Sequence, residues 1–85
     1  MLMTVKIKNV PVSFLPTFIK CIMPYGETVL FHRKEAGTSK SWSEQRALMV
    51  LHDGELIELE DAYTETIELW QKALTHWLPS INYNS

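Results

Sequence analysis

The feature that most constrains this chain lies near its C-terminus. Tyr63, Ile67, Trp70, Leu74 and Trp77 recur at intervals of four, three, four and three residues. That spacing places them on one stripe of an α-helix, which Ala73 and Leu78 widen, while Glu65, Glu68, Gln71, Lys72 and Thr75 fall mostly elsewhere. Glu68 and Lys72 make a favourable pair one turn apart. Asp61 is placed to cap the start, and Pro79 to mark the stop. A stripe with this much aromatic surface needs an apolar partner layer, and the rest of the chain must supply it.

Most of what precedes the helix reads as strand. Residues 3–8 alternate apolar and polar, with Met3, Val5 and Ile7 facing a core and Lys6 and Lys8 facing outward. Pro11 cannot donate to a ladder, so the strand ends near Val10 or becomes an edge. Residues 12–15 then form an extended connector or a short edge piece. Residues 17–23 and 27–33 read as a hairpin around the turn signal Pro24-Tyr25-Gly26, with a short helix over 14–22 as the alternative. Residues 34–43 are polar and read as a loop. Two signals compete over 41–52. Ser41-Trp42-Ser43-Glu44 matches a helix capping box. Asp53-Gly54 between two apolar runs argues for a hairpin with a type I′ turn, and this is the favoured reading.

The expected fold is therefore α+β: a small antiparallel sheet of four to five strands with one C-terminal amphipathic helix packed on a face. With 85 residues there is room for one domain, drawn over residues 1–79, with 80–85 as a frayed tail. The composition, 46% hydrophobic and 21% charged, suits a globular chain. The single cysteine, Cys21, cannot close an internal disulfide, which points to a reducing, cytoplasmic setting and a small buried hydrophobe. The N-terminal residues lack the pattern of a secretory leader, and no apolar stretch reaches the ~18 residues of a membrane span. Neither export nor a membrane partner is expected.

Charge is divided unevenly along the chain. Residues 1–46 hold seven bases (Lys6, Lys8, Lys20, Arg33, Lys34, Lys40 and Arg46) against three acids, a balance of +4. Residues 47–85 hold Lys72 against seven acids, a balance of −6. Two outcomes are open: the fold keeps a basic and an acidic face apart, or the halves interleave and cancel. The overall charge of −2 argues against a general nucleic-acid binder.

No motif names a reaction. His32, His52 and His76 are not spaced as metal ligands, and neighbouring residues such as His52 and Asp53 point apart in a strand. Neither a metal nor another cofactor is expected. Phe31-His32-Arg33-Lys34 is a small basic cluster of the kind a ribonuclease could use, but a second catalytic group is not evident. Trp42, in polar surroundings beside Lys40 and Arg46, is the candidate exposed anchor. The expectation is a non-enzymatic protein-binding module, an adaptor, regulator or inhibitor of the kind phage and other mobile elements encode. It would act through Trp42 and the acids Asp53, Glu55, Glu58, Glu65 and Glu68. Its partner is another protein, and a homodimer follows if the tryptophan stripe stays uncovered. The alternatives are nucleic-acid binding through the seven bases of the N-terminal half, and a small ribonuclease-like enzyme.

Overall fold

The computed structural model describes residues 1–82, with side chains through His76. It is α+β: strands β1 (Met3–Ile7), β2 (Val10–Phe14), β3 (Ile19–Glu35), β4 (Thr38–Leu51) and β5 (Leu56–Ala62), then helix α1 (Tyr63–Asn82). A one-turn 3-10 helix, Pro16–Phe18, joins β2 to β3 and is all that forms of the alternative helix over 14–22. The expected sheet of four to five strands is present as five antiparallel strands in two sheets, β1-β2 and β3-β4-β5, with the helix packed against them.

Turn chemistry accounts for the strand count. Lys8 and Asn9 adopt positive φ, 50° and 67°, which closes a two-residue hairpin between Ile7 and Val10. Pro11 therefore lies inside β2, opposite Lys6, on a strand whose other edge is unpaired. Ala36 and Gly37 (φ 39° and 86°) form a second such turn between Glu35 and Thr38. The expected loop over 34–43 is consequently reduced to those two residues, and the polar stretch around them is strand.

The expected hairpin of 17–23 with 27–33 does not form. Both segments belong to β3, and Pro24-Tyr25-Gly26 sits at a bulge rather than a turn: Tyr25 pairs with Arg46 and Val29 with Glu44, so three residues oppose Gln45. Gly26 supplies the left-handed backbone (φ 77°), and the Gln45 side chain donates to its carbonyl at 2.7 Å. A glycine-bearing signal marks a turn and a bulge alike; here the long partner strand β4 selects the bulge.

The hairpin of β4 with β5 forms as expected, and the capping-box reading of 41–44 fails because those residues are strand. Its turn differs from a type I′: only Gly54 has positive φ (91°), Leu51 and Glu55 close the loop, and Asp53 Oδ1 accepts from the Glu55 N–H at 2.9 Å. A second irregularity lies between Arg46 and Leu48, and the end of β5 contacts β1. There the Asp61 and Glu60 carboxylates accept from the backbone N–H groups of Lys6 and Asn9. Asp61 thus serves the β1 edge and not, as expected, the helix start.

The core gathers Met3, Val5, Ile19, Ile22, Ala47, Met49, Leu51, Leu59 and Ala73. On α1 the best-buried residues are Thr66 and Ala73, flanked by partly buried Tyr63, Ile67, Leu69 and Trp70, so the predicted stripe is present but turned toward its small residues. Thr66 is tolerated in the core because its hydroxyl donates to the Ala62 carbonyl at 2.8 Å. Trp70 Nε1 donates to the Pro16 carbonyl at 2.8 Å and ties the helix to the 3-10 turn. The helical backbone passes Pro79 and runs to Asn82, so Pro79 is not the stop and part of the expected tail is helical. The side chains of Trp77 and Leu78, and residues 83–85 of that tail, lie outside the described residues.

Candidate functional site

Two surfaces stand out: the face of the β3-β4-β5 sheet turned away from the core, and the far end of the β3-β4 hairpin.

Alternation along β4 sends Ala47, Met49 and Leu51 into the core with Ile22 and Ile57, and sends Leu48 and Val50 to the opposite face. Cross-strand partners on that opposite face are Cys21, Met23 and Tyr25 from β3, and Leu56 and Glu58 from β5. An antiparallel sheet with one solvated face ordinarily makes that face polar. Here Met23, Tyr25 and Leu56 are 46%, 44% and 63% exposed, and Leu48 between them is buried. Beside this apolar strip lies an open groove of about 630 Å³, lined in part by Tyr25, Arg46, Lys8, Glu27, Glu58 and Glu60.

At the far end, β5 leaves β4 at Arg46, and residues 29–35 and 38–44 continue as a two-stranded arm. Phe31 and Trp42 face each other across it, stacked at 5.6 Å with 25° between their planes. Arg33 and Lys40, also cross-strand partners, lie over the Trp42 ring at 5.7 and 5.5 Å. Trp42 is part-buried, and its Nε1 donates to Glu44 at 2.6 Å. The same Glu44 carboxylate accepts from the Thr64 backbone N–H and hydroxyl, so β4 caps α1 from across the fold. Partial burial works against the charge on Glu44, but the hydrogen bonds from the Thr64 hydroxyl, Trp42 and the Thr64 backbone outweigh it and hold the carboxyl below the usual glutamate value. Arg33 pairs with Glu35 and with Glu65 in the first turn of α1.

The residues singled out from the sequence are dispersed. Asp53 and Glu55 lie at the β4-β5 turn, Glu58 on the open face, and Glu65 and Glu68 on α1 beside a groove that also holds Asp61, Arg33 and Lys72. Trp42 joins none of these acids except Glu65, through Arg33. Among the bases, Lys6 and Lys8 belong to the β1-β2 hairpin, Lys20 to the start of β3, Arg46 to the open face, and Arg33, Lys34 and Lys40 to the arm. The halves interleave at both grooves. Strand alternation also divides the Phe31-His32-Arg33-Lys34 cluster: His32 faces Ser41, with Nδ1 and Oγ 3.0 Å apart, while Arg33 faces Trp42. No group of three metal-ligating side chains converges among the described residues.

Met23, Tyr25 and Leu56 were missing from the sequence-based site. The available signal was the unbroken apolar run 47–51 with adjacent Leu56 and Ile57, which puts apolar residues on both faces of the sheet.

No protein-family model, curated protein or solved structure matches the chain. No helix among the described residues is long and apolar enough to cross a membrane.

Proposed function

We propose that this chain is a non-enzymatic protein-binding module, a small adaptor, regulator or inhibitor, that docks a partner on the open face of its three-stranded sheet. The observation that carries this reading is the apolar strip of Met23, Tyr25, Leu48, Val50 and Leu56 on a face over which the helix does not lie. Tyrosine and methionine suit such a role, one as an amphipathic anchor and the other as an adaptable filler. The rim sets the partner's chemistry. Glu27, Glu58 and Glu60 outnumber Lys8 and Arg46 beside the strip, so the complementary surface presents an apolar anchor ringed by bases. The partly buried free thiol of Cys21 fits a reducing, cytoplasmic setting.

The test is capture of a protein from nuclease-treated host lysate by the intact chain and by its Met23→Lys/Leu56→Lys variant. Both positions are exposed, so the variant folds, as circular dichroism will verify. A partner held by the parent and lost by the variant supports the reading. Equal capture by both removes the open face as the site.

A further inference from the structure

We propose that the β3-β4 arm is a second binding site, one for the phosphate backbone of B-form duplex DNA, independent of the open face. The arm spans seven register pairs from Val29 with Glu44 to Glu35 with Thr38. At about 3.4 Å per residue it is about 24 Å long. Both its edges lack a strand partner, and every residue from His32 to Ser41 is exposed. Two strands with their side chains match a major groove about 12 Å wide, whereas the deep, narrow major groove of A-form RNA does not admit them.

Charge singles out the same element. Residues 29–44 hold Arg33, Lys34 and Lys40 against Glu35 and Glu44, a balance of +1, and the remainder of the chain sums to −3. Arg33 and Lys40 stand directly opposite each other, an arrangement that destabilises a strand pair. Glu35 and Glu65 answer Arg33, but no carboxylate among the described residues pairs with Lys40 or Lys34. An anion between the strands' side chains would relieve that repulsion. On the other face of the ribbon from Arg33 and Lys40, Ser39, Ser41 and Ser43 alternate along β4 opposite Lys34, His32 and Leu30, and add beside Lys34 hydroxyl donors of the kind that contact phosphates. The Phe31–Trp42 stack and the Glu44 and Arg33 links to α1 hold the ribbon in place, which a free two-stranded hairpin could not achieve alone.

The experiment is fluorescence anisotropy of a labelled 20-base-pair DNA duplex titrated with the full chain at several salt concentrations. Two phosphate contacts, from Lys34 and Lys40, predict about a 12-fold loss of affinity between 50 and 200 mM salt. Lys34→Glu/Lys40→Glu should weaken binding at least tenfold at low salt and flatten the salt dependence. Lys6→Glu/Lys8→Glu, on the other hairpin, should change it less than twofold. Absence of binding at 20 mM salt overturns the proposal. So does equal weakening by both variants, or equal affinity for an RNA duplex of the same length. The Met23→Lys/Leu56→Lys variant should bind DNA like the parent, which separates this site from the open face.

Discussion

Glu44 caps α1 through Thr64, a residue twenty positions further along the chain, accepting from its backbone N–H at 3.1 Å and its hydroxyl at 2.6 Å. Helix caps are ordinarily local, supplied by the residue just before the first turn. Here β5 runs into α1 without a loop, so no local residue is free for the task, and the carboxylate comes from the neighbouring strand. Glu44→Ala should therefore destabilise the fold by about 0.5–2 kcal/mol, the range for losing a cap. Because the acceptor also holds Trp42, the intrinsic fluorescence should change along with the denaturant midpoint.

The same carboxylate gives the fold a pH dependence of known sign. Its value in the folded chain is lowered relative to the unfolded chain. Its contribution is therefore fully present above the ordinary glutamate value and is lost as pH falls through the lowered folded value. Urea midpoints measured from neutral pH downward should fall more for the parent than for Glu44→Gln. Parallel curves would show that the capping charge is not linked to stability.

Left-handed backbone makes opposite predictions at two positions. A Cβ at Gly26 meets nothing within 4 Å, so Gly26→Ala is opposed only by its φ of 77° and should cost about 0.5–1 kcal/mol once the reduced freedom of the unfolded chain is subtracted. Ala36 already bears that strain at φ 39°, so Ala36→Gly should stabilise by about 0.5–1 kcal/mol after the added freedom of the unfolded chain is subtracted. Thermal melts of the two variants should shift in opposite directions.

Met49 is fully buried near the end of β4, between Ile22 and Ile57 on the neighbouring strands, and belongs to the core rather than the open face. Met49→Ala should cost about 2–5 kcal/mol. Met23→Ala, on the half-exposed open face, should cost much less. Comparable losses at both positions would contradict the division of the sheet into a core face and an open face.

The parts of this architecture written in local periodicity were legible beforehand. Alternation over residues 3–8 and the three-four spacing from Tyr63 each correspond to one element with one buried face. The β4-β5 hairpin followed from Asp53-Gly54, although the turn took a three-residue form. What could not be read depends on partners distant in sequence. Pro24-Tyr25-Gly26 is a bulge only because β4 runs alongside it, and in the Lys8-Asn9 and Ala36-Gly37 turns the first position holds a residue with no turn signature, so Asn9 and Gly37 each stand as a lone signal. The open face was hidden for a related reason: whether Met23 or Leu48 is core depends on which side of the sheet receives α1. Trp42 was singled out as a free anchor, yet its neighbours across the arm, Phe31, Arg33 and Lys40, engage both its ring and its surroundings.

The central claim is that a protein partner covers the open sheet face, and it is tested most directly by site-specific photo-crosslinking in the host. A photoreactive phenylalanine derivative replaces Tyr25 on that face or Thr75 on the exposed side of α1. The account predicts one dominant crosslinked protein from position 25 and none of that species from position 75. The same product from both positions, or no product from position 25, would contradict it.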